Sequence, residues 1–243
     1  MLIEEDPALR AAALDLLRSE YGMAEQRPGL HQSQLSYCLT KAYRDIREPI
    51  PPTDTEVKLF AIGFGLERVL LASEQSPAEI VVDGISCSLD TISLFGPSDL
   101  KSTRMRAAGR KGEGGFQIPQ GWIRQFMAYR YALNYKYGYA IEEPSGKIYD
   151  EYLQFNVIII HLIEPELSAY RLHFTAEELE ENWSWLLTRA SQLESMLAAN
   201  DPMPFLFAEP WECKSCRYNL MCSLEASVAA PSEPQMLFPF SNE

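Results

Sequence analysis

The spacing of apolar positions divides the chain into helices and strands before any chemistry is considered. Residues 7–20, PALRAAALDLLRSE, carry apolar side chains at helical intervals behind Pro7, which predicts an amphipathic helix. HQSQLSYCLTKAYRDI reads as a second helix, capped by Ser33 and carrying Cys38. EVKLFAIGFGLERVLLAS keeps the helical period despite Gly63 and Gly65. Each such glycine costs about 1 kcal/mol relative to alanine, which points to close packing or substrate approach. From Glu79 to Phe95 the pattern turns β-rich, Gly96-Pro97-Ser98 punctuates it, and SDLKSTRM predicts a further strand. AAGRKGEGGFQIPQG is a glycine-rich polar loop, after which GWIRQFMAYRYALNYKYG returns to the 3.6-residue period. EYLQFNVIIIHLIEP and AYRLHF predict two strands, in which His161 and His173 read as structural. FTAEELEENWSWLLTRASQLESMLAAN predicts a long helix opened by a capping box from Thr175 and Glu178. This order implies an α/β fold, a mixed central β-sheet flanked by helices, over residues 1–224. The Ala-, Ser- and Pro-rich residues 225–243 read as a disordered tail.

Composition narrows the classes. The 243 residues suffice for a sizeable core, and 13 Gly with 16 Pro are too few for a collagenous or low-complexity chain. Charge is −13, from 21 Lys plus Arg against 34 Asp plus Glu. Such a balance argues against non-specific coating of nucleic acid, which needs a net positive surface to release counterions, but it permits a local basic groove. No run reaches the roughly 18 apolar residues of a membrane span, and MLIEEDPALR is acidic where a secretory signal is basic. The expected setting is cytoplasmic, with no membrane partner. Five cysteines make an odd count: Cys38 and Cys87 are isolated, Cys213, Cys216 and Cys222 form C-x2-C-x5-C, and Cys87 reads as an ordinary buried residue.

Candidate chemistry centres on Asp90, Asp99 and Lys101. Residues two apart on a strand share a face, so Asp99 and Lys101 point together, with Leu100 expected to turn into the core. A hairpin would bring Asp90 from the preceding strand beside them. Two carboxylates are a minimal oxygen site for magnesium or manganese, and a lysine ammonium beside them can orient a water and offset charge on a phosphate. Glu67 lies on the helix before this strand; Gln125 and Tyr129, spaced i, i+4, share a face of the helix after it.

In these residues the chain resembles the PD-(D/E)XK nuclease superfamily, specifically its RecB-like branch. Asp90 matches the first acidic motif, Asp99-Leu100-Lys101 the acid-x-lysine motif, and Gln125 to Tyr129 the Q-x-x-x-Y helix. Two positions depart from the pattern: Asp99 stands where Glu is usual, and Glu67 stands where a G-x-x-x-H pattern has His. Both substitutes still ligate hard metals. The resemblance implies a restriction-endonuclease-like core, in which Asp90, Asp99, Glu67 and the Leu100 carbonyl hold Mg2+ or Mn2+. Lys101 would orient the attacking water, and Gln125 and Tyr129 would position the DNA strand.

Three clustered cysteines with the distant Cys38 suit a cubane cluster with four thiolate ligands, joining the N- and C-terminal segments. PGLHQSQLSYCLTKAY with EPWECKSCRYNLMC is similar to the iron-sulfur members of that branch, which include the AddB nuclease domain and the single-domain CRISPR-associated exonucleases. The implied cofactor is a 4Fe-4S cluster on Cys38, Cys213, Cys216 and Cys222, with zinc on the same sulfurs as the alternative. Lys101, Arg104, Arg106, Arg110 and Lys111 lead into the glycine-rich loop and form a candidate DNA groove.

The resemblance implies a metal-dependent exonuclease on single-stranded or end-containing DNA, in CRISPR adaptation, phage DNA metabolism or repair. Its alternative is a catalytically weak, nuclease-like DNA-binding subunit. Without a Walker motif, unwinding would need a helicase partner. Other candidate partners are CRISPR adaptation proteins, and a sliding clamp engaged by QMLFPF.

Overall fold

The computed structural model describes residues 6–21, 29–70, 79–93, 96–108, 115–137, 153–203 and 210–229. Helices α1 (Pro7–Tyr21), α3 (Leu39–Arg47), α4 (Asp54–Leu70), α5 (Gln120–Tyr137), α6 (Ala176–Ala199), α7 (Pro210–Ser215) and α8 (Asn219–Ala229) surround two small mixed sheets, with the single-turn α2 (Gln32–Leu35) between the first two. One sheet has the order β1-β3-β2, from β1 (Leu30–His31), β2 (Ile80–Val82) and β3 (Ile85–Cys87). The other has the order β4-β5-β6-β7, from β4 (Thr91–Ser93), β5 (Gly96–Thr103), β6 (Leu153–His161) and β7 (Glu166–Phe174). The chain is therefore mixed α/β, but its strands divide between two sheets instead of one central sheet.

Strand β6 is apolar on both faces, as expected of an inner strand. Phe155, Val157, Ile159 and His161 are fully buried on one side, with Ile158 and Ile160 half-buried on the other. It pairs parallel with β5, in register Asp99↔Val157 and Lys101↔Ile159, and antiparallel with β7. The parallel pair needs a crossover, and α5 supplies it. Phe126 of α5 stacks on Phe155 at 5.2 Å, while Ala128, Ala132 and Leu133 are fully buried. Helix α6 then packs against α5, burying Leu179, Trp183, Leu186, Ala190, Leu193 and Met196 at helical spacing.

Local chemistry fixes the junctions. Asp83 and Gly84 both have positive φ, 49° and 78°, the backbone of a tight β2–β3 hairpin turn. The Trp183 indole N–H donates to Asp83 at 2.9 Å and its ring stacks on Tyr131 at 4.6 Å, tying that hairpin to α5 and α6. Helix α6 opens on the expected capping box: the Thr175 hydroxyl accepts from the Glu178 N–H at 3.1 Å, and Glu178 accepts from the Thr175 N–H at 2.8 Å. It closes on Asn200 in the left-handed region.

Four sequence expectations are corrected. HQSQLSYCLTKAYRDI is two helices broken at Ser36–Cys38; Ser33 lies inside α2, His31 takes its N-cap position, and Cys38 caps α3. Asp99 and Lys101, not Leu100, lie on the face of β5 that carries buried Val157 and Ile159; Leu100, opposite Ile158, is on the half-buried face. The single central sheet is two sheets. Helix α8 runs past Leu224 to Ala229, so the folded part crosses the expected tail boundary. No helix among the described residues is long and apolar enough to cross a membrane.

Thr175→Ala removes the capping acceptor and is expected to lower the free energy of unfolding by about 1 kcal/mol, read from the urea midpoint.

Candidate functional site

Strand β4 stops pairing with β5 at Thr91↔Ser98, and there the Asp90 side chain takes over from the strand. Its carboxylate accepts the Leu100 N–H at 2.7 Å, which sets Asp90 beside Asp99. Asp99 is 2% exposed, and the Lys101 ammonium lies 2.7 Å from its Oδ2. The same ammonium sits over the Phe126 ring, 5.7 Å from its centroid. From α5, one turn apart, the Gln125 amide donates to the Tyr129 hydroxyl at 2.6 Å, and both side chains are buried. Helix α4 approaches β5 at Gly63, where an added Cβ would stand 4.0 Å from the Ser102 hydroxyl. Glu67, one turn further along α4, lies close enough to feel the charges of Asp90 and Lys101.

Burial dominates the electrostatics here. It pushes the Asp99 carboxyl up to about 7, with Lys101 opposing and the negative charges of Asp90 and Glu67 adding to the rise. Asp90 and Glu67 are raised as well, first by burial; Lys101 opposes both, and Asp90's charge adds to the rise at Glu67. Burial also raises the Tyr129 hydroxyl, with Asp99 and Asp90 reinforcing it. Asp99 and Lys101 are thus paired in a poorly solvated place, with Asp90 beside them and Glu67 and Tyr129 within charge range. The structure brings together Asp90, Asp99, Leu100 and Lys101, sets the Gln125–Tyr129 pair within charge range of the acids, and places Glu67 within charge range without a contact.

The expected basic groove is less complete. Arg104 and Arg106 are exposed, and Arg106 is paired with Glu164 of the β6–β7 turn at 3.3 Å. Arg110, Lys111 and the QMLFPF segment lie outside the described residues. His161 is structural, as its sequence context implies: it is fully buried, with the Met105 carbonyl at 2.7 Å and the Ser168 hydroxyl at 3.1 Å from its ring nitrogens. Cys87 is a buried core residue whose thiol is pushed up to about 12 by burial.

The C-terminal cysteine segment meets Cys38 through Glu212. The Cys38 N–H donates to Glu212 at 3.2 Å, and its sulfur accepts the Lys41 N–H at 3.5 Å as the α3 cap. Cys213 is raised first by burial and then by the neighbouring charges of Cys38, Cys216, Glu212 and Cys222. Burial raises Cys222 as well, against the opposing Arg44 guanidinium. Polar contacts join this segment to α3: Asp45 accepts from Arg217 at 2.7 Å and Tyr218 at 2.9 Å, while Arg44 pairs with Glu225. Among the described residues, no group of three or more His, Cys, Asp or Glu side chains is arranged to hold a metal ion. The donor chemistry is nevertheless distinct at the two places: oxygen at the carboxylates, which suits hard divalent cations, and sulfur at the cysteines, which suits iron-sulfur or zinc.

Tyr37, which the sequence pattern did not single out, stands between the two groups. An added Cβ on Gly121 would lie 2.8 Å from the Tyr37 ring, so the glycine is what admits that ring against α5. Burial raises the pKa of the Tyr37 hydroxyl, with the charges of Glu212 and Asp99 adding to the rise and the neighbouring Trp122 side chain opposing it. The Tyr37 ring also meets Trp211 edge-on at 6.2 Å. Its only sequence signal is adjacency to Cys38.

Fold and site define a mixed α/β chain with a buried acid-x-lysine strand beside a docked cysteine segment. No family model matches the chain, and no curated protein matches it. A solved structure described as "Crystal structure of SSO0001" is similar to it at a TM-score of 0.48 and 16% identity, over 93% of this chain and 98% of that one.

In the metal-free chain, Asp99 makes stability fall with pH. Its unfolded carboxyl titrates near ~4 and its folded carboxyl near about 7. Between those values the folded state binds the extra proton, so its stabilising contribution is present below the window and lost as pH rises through it. Urea midpoints in EDTA are expected to fall more steeply for the wild type than for Asp99→Asn from about pH 5 to about pH 8.

Proposed function

We propose that the chain is a divalent-metal-dependent deoxyribonuclease of the RecB-like PD-(D/E)XK kind, acting as an exonuclease on single-stranded or end-containing DNA. The observation that carries this reading is the buried Asp99–Lys101 pair on β5, with Asp90 anchored on the intervening Leu100 N–H and Glu67 within charge range. An isolated acid-x-lysine pair would be an ordinary surface ion pair of little energetic weight. A buried pair among two further carboxylates has a large desolvation cost, and such perturbed acids concentrate where chemistry is done.

Asp99, Asp90, Glu67 and the Leu100 carbonyl are the oxygen donors for magnesium or manganese, which when bound supplies Lewis-acid polarisation of the phosphate. Lys101 holds its ammonium at the acids, where it can orient a water and offset charge developing on the phosphate. Gln125 and Tyr129, locked to each other, present a fixed polar edge to the strand. Phe126 and Phe155 keep water from the inner side of the site. The cysteines Cys38, Cys213, Cys216 and Cys222 are assigned to a 4Fe-4S cluster that braces the two ends of the chain and takes no part in hydrolysis. In this reading the enzyme works in the cytoplasm, with a separate motor supplying any unwinding.

Anaerobically purified wild type is expected to degrade end-labelled single-stranded DNA with magnesium or manganese, and Lys101→Ala and Asp99→Ala to lose about 100-fold or more in rate. A wild type that cuts nothing the variants do not also cut replaces this reading with that of a DNA-binding subunit. The same preparation is expected to absorb broadly near ~400 nm and to lose iron in Cys222→Ser; a colourless chain containing zinc overturns the cluster assignment.

A further inference from the structure

We propose that the pocket between the N-terminal turns of α5 and α6 is a binding site for a primary ammonium on an aliphatic stem, the chemistry of a lysine side chain or of a polyamine. The pocket measures about 260 Å³ and is lined by Gln120, Arg124 and Met127 of α5 and by Glu178, Glu181 and Asn182 of α6. None of these side chains belongs to the carboxylate site, so the inference stands apart from the nuclease reading. Asn182 is the observation that points to a ligand. It is 5% exposed, and its Nδ2 donates to the Arg124 carbonyl at 3.0 Å, which fixes the amide and leaves Oδ1 as the acceptor. No described residue donates to that oxygen. A buried acceptor without a donor is destabilising, and a bound donor removes that cost.

Charge and wall chemistry select the ligand. Glu177, Glu178, Glu180 and Glu181 are all exposed, and among the described residues no Lys or Arg pairs with any of them. The helix dipole and the capping box account for Glu177 and Glu178 in the first turn of α6; Glu180 and Glu181 lie beyond it, where the dipole's benefit has fallen off. An anion would meet the Glu178 and Glu181 carboxylates. A hard divalent cation wants about six oxygens around it, whereas a guanidinium and a thioether stand in this lining. An ammonium has three donors, and the pocket offers matching acceptors in Asn182 Oδ1, Glu181 and the Glu178 oxygen not used by the Thr175 N–H. Half-buried Met127 gives its stem an apolar wall. Arg124 does not fill the place itself, because its guanidinium lies over the Trp185 ring, 4.0 Å from the centroid.

The test is a titration of the 15N-labelled protein, followed at the backbone and side-chain amides of Asn182. Nα-acetyl-lysine N-methylamide is expected to shift them saturably, and its Nε-acetylated form, which has lost the charge, to leave them in place. Glu181→Gln is expected to weaken binding about 10-fold, Asn182→Ala to weaken it similarly at the backbone amides of α6, and Glu166→Gln, exposed on β7, to leave it unchanged. Putrescine separates the two sources: tighter binding than the lysine amide marks a polyamine site, weaker binding a site for a protein lysine. Asn182 amides that do not shift overturn the proposal, as does an equal shift by the acetylated form. Equal weakening by Glu181→Gln and Glu166→Gln also overturns it, leaving only the general attraction of a cation to a chain of charge −13. Because Glu181 is exposed, its variant keeps the test decisive even where Asn182→Ala does not fold.

Discussion

Placing Asp99 on the buried face of β5 is the constraint around which the rest of the molecule is arranged. Strand alternation puts its side chain on the side of Val157 and Ile159, where an uncompensated carboxylate would cost several kcal/mol. Lys101, two residues on, is the nearest group the strand itself can send to that face, and it arrives at 2.7 Å. Its ammonium must then be sheltered without being neutralised, and the Phe126 ring does that through its π face. Tyr129 fills the same region, its phenol oxygen accepting the Gln125 amide N–H, which fixes where the phenol sits beside the acids. Asp90 serves twice: it satisfies the Leu100 N–H where β4 has run out, and it adds the negative charge that keeps Asp99 easy to protonate.

A second framework, made of ion pairs, docks the far end of the chain. Asp45 gathers Lys41, Arg217 and Tyr218, and Arg44, itself 1% exposed, reaches both Glu48 at 2.7 Å and Glu225. These contacts join α3 to the turn before α8 and to α8 itself, so Cys216 and Cys222 are set against α3 by side chains other than their own. Arg189 completes the arrangement from α6, donating to the Leu35 and Tyr37 carbonyls at the break between α2 and α3. That break is what turns Cys38 from a helix-interior residue into the cap of α3, its sulfur accepting the Lys41 N–H of the first turn.

Sequence pattern reached the local rules and missed those set by distant partners. The Thr175–Glu178 box, the pairing of Asp99 with Lys101 and the Gln125–Tyr129 contact all follow from spacing within one element, where geometry is fixed by the helix or strand period. Which face of β5 is buried does not follow from that period. A charged pair reads as outward-facing by default, and β6, apolar on both sides, gives no vote. Likewise, the break after Leu35 carries no glycine or proline; it is held by Arg189, more than a hundred residues away, and by the Tyr37 ring seeking α5. The first sheet also takes in β1, two residues long, pairing parallel with β3, a contact too short to leave a pattern.

Tyr37 makes the two frameworks one. Its ring fits against α5 because position 121 is glycine; any side chain there would meet the ring at 2.8 Å, while the backbone of α5 itself needs no glycine at that point. The glycine therefore serves packing, not backbone freedom. Through it, the residue preceding Cys38 is pressed onto the helix that carries Gln125, Phe126 and Tyr129, within range of the Asp99 charge on one side and the Glu212 charge on the other. Glu212 in turn holds the Cys38 N–H and precedes Cys213. The Tyr37 ring is therefore the packed side chain that lies between the cysteine segment and the helix beside the acids.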